Sequence, residues 1–77
     1  MAKVIVYSTT WCPWCHRAED FLKKNNVPHT VKNIEDDEAA MNEMVAKSGQ
    51  SGVPVITIDD EVIIGFDETA IRKALKI

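Results

Sequence analysis

Cysteine is scarce in this chain: there are two among 77 residues, and both fall in one Cys-x-x-Cys, Cys12 and Cys15. That excludes a scaffold held together by several disulfides. A structural bridge between these two would close a very short loop and restrict the unfolded chain little. In a reducing compartment, the disulfides that do form tend to be transient and catalytic. Long hydrophobic runs are also missing. The first apolar run, Val4 to Tyr7, is too short for a signal peptide or a membrane span. Neither charge sign dominates: 9 Lys and Arg stand against 12 Asp and Glu, a formal net charge of −3, which disfavours nucleic acid and anionic membrane as partners. Repeats and low-complexity segments are absent. The expectation is a cytosolic chain, mature as written, folded as a single domain over residues 1–77 and acting as a monomer.

What is present suffices for one modest core. Hydrophobic residues make up 45% of the chain and charged residues 27%, too apolar for a disordered segment. Lys3-Val4-Ile5-Val6-Tyr7 is a continuous β-branched run, the pattern of a strand buried on both faces. After the polar break Ser8-Thr9-Thr10, a helix begins near Pro13, because proline is tolerated in a first turn where its missing N–H has no partner. Trp14, Ala18, Phe21 and Leu22 recur at helical spacing, and Lys23-Lys24 suit the negative end of the helix dipole.

His29 to Ile34 reads as a second strand. Asp36, Asp37 and Glu38 open a second helix, with Ala40, Met41, Met44 and Val45 as its buried stripe and Gly49 as terminator. Val53 to Ile58 reads as a third strand with Pro54 near its start. Asp59-Asp60 turns into a fourth strand, Glu61 to Ile64. Asp67 is the N-cap of a last helix with Ile71, Ala74 and Leu75 on its apolar face. The order is β-α-β-α-β-β-α, an α/β domain. Its first β-α-β unit should be parallel and its last two strands an antiparallel hairpin, giving a four-stranded mixed sheet flanked by three helices.

A Cys-x-x-Cys between a buried strand and a helix N-terminus has a chemical logic. The thiolate is the nucleophile, and a free cysteine titrates near about 8.5. Cys12 at the N-cap would meet free backbone N–H groups and the positive end of the dipole, both of which favour the anion. Cys15, one turn inside, would be shielded and still able to reach the Cys12 sulfur once that is bound in a mixed disulfide. Cys12 is therefore the expected nucleophile and Cys15 the resolving thiol, with Pro13 fixing the backbone between them and Trp14 a candidate apolar wall for substrate. Two rival readings use the same cysteines: covalent haem attachment through Cys12-Pro13-Trp14-Cys15-His16, and a metal-binding module for which a second ligand pair is missing.

Taken in order, Val4-Ile5-Val6-Tyr7-Ser8, Cys12-Pro13-Trp14-Cys15-His16-Arg17-Ala18, Gly52-Val53-Pro54 and Gly65-Phe66-Asp67 run through nearly the whole chain. Together they resemble the glutaredoxins, in particular the short YruB-type proteins and the NrdH-type redoxins. The resemblance implies a thioredoxin fold, no bound cofactor or metal, and a cis peptide before Pro54 in a loop facing the cysteines. It implies a thiol–disulfide oxidoreductase acting on protein disulfides or glutathione mixed disulfides. Electrons would come from glutathione as co-substrate or from a thioredoxin-reductase-like flavoenzyme. The positions corresponding to the family's glutathione and substrate contacts are Trp14, Gln50, Val53, Pro54, Phe66 and Asp67. The sequence departs from many relatives in lacking a lysine just before Cys12 and a Gly-Gly pair before Asp67.

Overall fold

The computed structural model describes residues 3–77; residues 1 and 2 of the expected 1–77 domain lie outside the described residues. Its elements are β1 (Val4–Ser8), α1 (Pro13–Lys24), β2 (Thr30–Asn33), α2 (Glu38–Ser48), β3 (Val55–Ile58), β4 (Glu61–Ile64) and α3 (Glu68–Leu75). The strands form one sheet in the order β2-β1-β3-β4. β1 pairs with β2 in parallel, as a β-α-β unit requires, and with β3 antiparallel. β3 and β4 form the antiparallel hairpin. With three helices against it, this is the thioredoxin fold.

The sheet order explains which apolar runs are buried. β1 and β3 are the inner strands, and every residue in both is buried. β4 lies at an edge. Of Val62-Ile63-Ile64, only Ile63 is buried. Alternation along β1 then splits the core into two layers. Val4 and Val6, with Ile56, Ile58 and Ile63, meet Ala18 and Leu22 of α1 and Ile71 of α3. Ile5, Tyr7 and Val55 point the other way, against Met44 of α2. Each fully buried aliphatic side chain contributes about 1.5–3 kcal/mol.

Two side chains read as helix core stand in solvent. Trp14 is 55% exposed and Val45 39% exposed. A helix lying on a sheet buries a narrow stripe. In α1 that stripe runs through Cys15, Ala18 and Leu22, and in α2 through Ala40 and Met44. Trp14 and Val45 fall beside the stripes.

Helix ends match their signals. Asp37 and Asp67 cap α2 and α3, each accepting at 3.1 Å from the backbone N–H three residues on, Ala40 and Ala70 respectively. Gly49 closes α2 with φ +72°, a left-handed conformation that costs glycine little. In the β3–β4 turn, Asp59 takes φ +53° and ties back to the start of β1. Its carboxylate accepts from Lys3 N at 2.9 Å, and its own N–H donates to Lys3 O at 2.9 Å.

Beneath the site end of the sheet, the buried Tyr7 hydroxyl donates to the Glu43 carboxylate of α2. Lys32 of β2 and Lys47 of α2 also reach Glu43 Oε1, at 3.2 and 3.6 Å. Burial first, and then the Glu43 hydrogen bond and charge, push the Tyr7 phenol far above its ordinary value. The same hydrogen bond, followed by those from Lys32, holds the Glu43 carboxyl below the usual range. One carboxylate thereby joins β1, β2 and α2.

Candidate active site

Cys12 is the N-cap of α1, with extended backbone at φ −98° and ψ 104°, and Pro13 follows in the first turn. Here a sulfur occupies the position of a capping oxygen. Cys12 Sγ accepts the Cys15 N–H at 3.1 Å. One of the donors that a helix start leaves without a partner is thus aimed at the reactive atom, and the helix dipole adds positive potential there. Cys12 keeps 9% of its surface exposed, while Cys15 is fully buried. The two sulfurs face each other as a disulfide pair, with Cα atoms 5.2 Å apart.

Three side chains hold the loop before Cys12, all through Thr10, and two of them, Asn33 and Glu35, were not singled out by sequence reading. Its N–H donates to Glu35 Oε1 at 2.8 Å. Its hydroxyl accepts from Asn33 Nδ2 at 3.1 Å. Its carbonyl lies 3.3 Å from His16 Nε2, which donates to it when that nitrogen is protonated. Glu35 N in turn donates to Asn33 Oδ1 at 2.8 Å. Nothing in the sequence pairs residue 10 with residues 33 and 35. Only the parallel register that places Ser8 opposite Asn33 brings them together.

A cleft of about 300 Å³ is lined by Trp14, which stands between the two cysteines in the chain, and by Val53, Pro54, Gly65 and Phe66. The Val53–Pro54 peptide is cis. Gly65 N donates to Pro54 O at 2.8 Å, tying the end of β4 to this loop. Gly65 is an addition to the expected lining; its φ of +81° is the reason for a glycine there. The fold therefore brings Trp14, Val53, Pro54 and Phe66 to one cleft, and leaves Gln50 and Asp67 outside its lining. Gln50 is engaged locally, accepting from Gly52 N at 2.6 Å and donating to Gly52 O at 3.1 Å. One oxygen of the Asp67 carboxylate, Oδ1, serves the α3 cap. Among the described residues, no group of three or more His, Cys, Asp or Glu side chains converges as a metal site. Nor, among them, is any helix long and apolar enough to cross a membrane.

A glutaredoxin family model matches residues 4–63, which include both cysteines and the cis peptide. The chain belongs to the glutaredoxin family. It is 42% identical over 71 residues to an uncharacterised glutaredoxin-like 8.6 kDa protein of a rubredoxin operon in Clostridium pasteurianum, covering 92% of this chain and 95% of that one. It is 38% identical over 68 residues to glutaredoxin 3 of Escherichia coli, covering 88% and 82%. Among solved structures, the thioredoxin-like protein BC3987 superposes with a TM-score of 0.88 at 32% identity, covering 94% of this chain and 99% of that one. The glutaredoxin of Archaeoglobus fulgidus does so with 0.87 at 28% identity, covering 100% and 89%. As a glutaredoxin with its Cys-x-x-Cys pair in place, the chain is a thiol–disulfide oxidoreductase.

Proposed function

We propose that this glutaredoxin reduces disulfides of protein partners in the cytoplasm through its dithiol, with Cys12 as nucleophile and Cys15 as resolving thiol. The observation that carries the reading is the asymmetry of the pair. Cys12 Sγ sits at the helix start with a backbone donor aimed at it and a remnant of exposure, and Cys15 lies fully buried one turn behind. In the reduced state the Cys12 thiolate attacks a substrate sulfur, and one substrate thiolate departs and takes up a proton. Cys15 then loses its proton and attacks Cys12 Sγ. The second substrate thiol leaves, and the Cys12–Cys15 bond forms. Two electrons pass from the dithiol to the substrate, and the enzyme ends in its disulfide form.

The cleft favours protein disulfides over glutathione mixed disulfides. Its lining holds no ionisable side chain. Glutathione carries two carboxylates and an ammonium group, and of the two polar residues expected to greet them, Gln50 is bonded through both its amide atoms to Gly52 and Asp67 lies outside the cleft lining with Oδ1 on the α3 cap. Trp11, just ahead of Cys12 in the chain, is 83% exposed and offers a further apolar group to a protein partner. On this reading a thioredoxin-reductase-like flavoenzyme is the better electron donor.

The test is insulin reduction driven either by NADPH with such a flavoenzyme or by glutathione with glutathione reductase. Turnover with both donors, faster with the flavoenzyme, is the expected outcome. Faster turnover with glutathione overturns the donor assignment, and no turnover with either overturns the dithiol reading.

A further inference from the structure

A second groove, of about 490 Å³, runs between α1 and α3 and shares Phe66 with the active-site cleft. Its floor is aromatic, Phe21 meeting Phe66 edge-on with centroids 5.9 Å apart. Its rim carries the cations Arg17, Lys24 and Arg72, against the carboxylates Asp20 and Glu68. Glu68 is held by Arg72 at 3.1 Å. Among the described residues, neither Arg17 nor Lys24 takes part in an ion pair, and the same holds for Asp20. The local balance is cationic on a molecule whose net charge is −3.

These residues are not scattered. Positions 14, 17, 21 and 24 of α1 follow helical spacing along one stripe, which starts one residue before Cys15 and extends about 15 Å at about 1.5 Å per residue. Aromatic and cationic groups alternate along it. The Arg17 guanidinium lies over the Trp14 ring at 4.7 Å from its centroid. The Arg72 guanidinium lies over Phe21 at 5.0 Å. Stacking holds each guanidinium in place; Arg72 spends its N–H edge on Glu68, and Arg17, outside any ion pair among the described residues, keeps its own for an anion.

We propose that this groove is a specificity subsite, continuous with the cleft, that receives an acidic segment of the partner protein beside its reactive cysteine. It rests on the dithiol reading and goes beyond it by naming the charge of the substrate flank. A chain whose cysteine lies at Cys12 passes over Phe66 and brings carboxylates to Arg17 and Lys24, its aliphatic parts covering Phe21. Electrostatic complementarity of this exposed kind acts on encounter and choice of partner and is weakened by salt.

The test compares two synthetic peptides that differ only in having Glu-Glu or Lys-Lys beside a cysteine protected as its mixed disulfide with 2-mercaptoethanol. Single-turnover reduction by the prereduced protein removes the electron donor from the comparison. The ratio of the two rates, taken within each variant, cancels any change in thiol reactivity. The expected ratio is on the order of tenfold in favour of the acidic peptide at low ionic strength, falling toward one in high salt. Arg17→Glu with Lys24→Glu should reverse the preference. Asp20→Asn, a milder change, should strengthen it. A wild-type ratio near one, or one that the charge reversal leaves unchanged, overturns the subsite. So does a variant that impairs use of glutathione while leaving the peptide ratio alone, since the cations would then serve the small donor. Bis(2-hydroxyethyl) disulfide is the control. If it is not reduced, the dithiol reading itself fails; if it is reduced and the peptide ratio is one, only the subsite fails.

Discussion

Cys12→Ser should lower disulfide reduction on the order of 10³-fold or more, the scale on which removing a catalytic nucleophile acts. A serine hydroxyl fits the N-cap as well as the sulfur does, since serine is among the preferred capping residues, so the fold should survive the change. What is lost is an anion that can attack sulfur near neutral pH. Cys15→Ser should behave differently. Attack by Cys12 still occurs, but nothing within the molecule resolves the adduct, so a mixed disulfide with the substrate accumulates and is visible by mass. The pair of variants separates the two thiols by role. Full turnover in Cys12→Ser, or a trapped adduct on Cys15 in place of Cys12, would reverse the assignment.

Tyr7→Phe should change the pH limits of stability in a direction that a plain cavity would not. At neutral pH the variant loses a hydrogen bond to a charged partner, a cost of about 1.5–3 kcal/mol. For a domain of this size, stabilised by about 4–12 kcal/mol, that is a substantial share. The Tyr7 phenol is held far above its ordinary value in the folded state, by burial first and by Glu43 second. Above about pH 10 the unfolded chain ionises its tyrosine while the folded chain retains the proton, so wild-type stability falls as pH rises. The phenylalanine variant lacks that slope, and the gap between the two proteins should narrow in alkali.

At the acid end, Glu43 is held low, chiefly by the Tyr7 hydrogen bond. Its contribution is present above about pH 4.3, the unfolded carboxyl value, and is lost as pH falls through the lowered folded value. That loss should also be smaller in the variant. Urea unfolding at pH 4, 7 and 11 measures all three conditions. A gap between the proteins that stays constant across them would show that the hydroxyl and Glu43 are not coupled.

The elements with strong local signals were legible in the sequence. Val4 to Tyr7 is inner-strand sequence, and β1 proves to be the strand with a neighbour on each side. Asp37, Gly49 and Asp67 act at the helix ends they mark, because capping depends on residues three or four apart. The cysteine pair was legible for the same reason, its spacing being local. Side chains whose fate depends on lateral placement were not. Val62 and Ile64 look like core until the sheet order puts β4 at the edge. Trp14 fits the apolar period of α1, but only the angle of the helix on the sheet decides that Ala18 and Leu22 go in and Trp14 stays out. The Thr10 support from Asn33 and Glu35 depends on strand register, and the groove between α1 and α3 on the packing of two helices far apart in the chain. The engagement of Gln50 by Gly52 is a local turn that masks a residue otherwise suited to a ligand.

All of the chemistry depends on the sulfur of Cys12 being held as an acceptor at the start of α1. The most direct measurement is the rate of iodoacetamide alkylation of the reduced protein against pH, with the modified cysteine identified by mass. The account predicts that Cys12 alone is modified at first, and that its rate reaches half its plateau clearly below about pH 8.5, the midpoint of a free cysteine. A midpoint at or above that value, or first modification at Cys15, would contradict it.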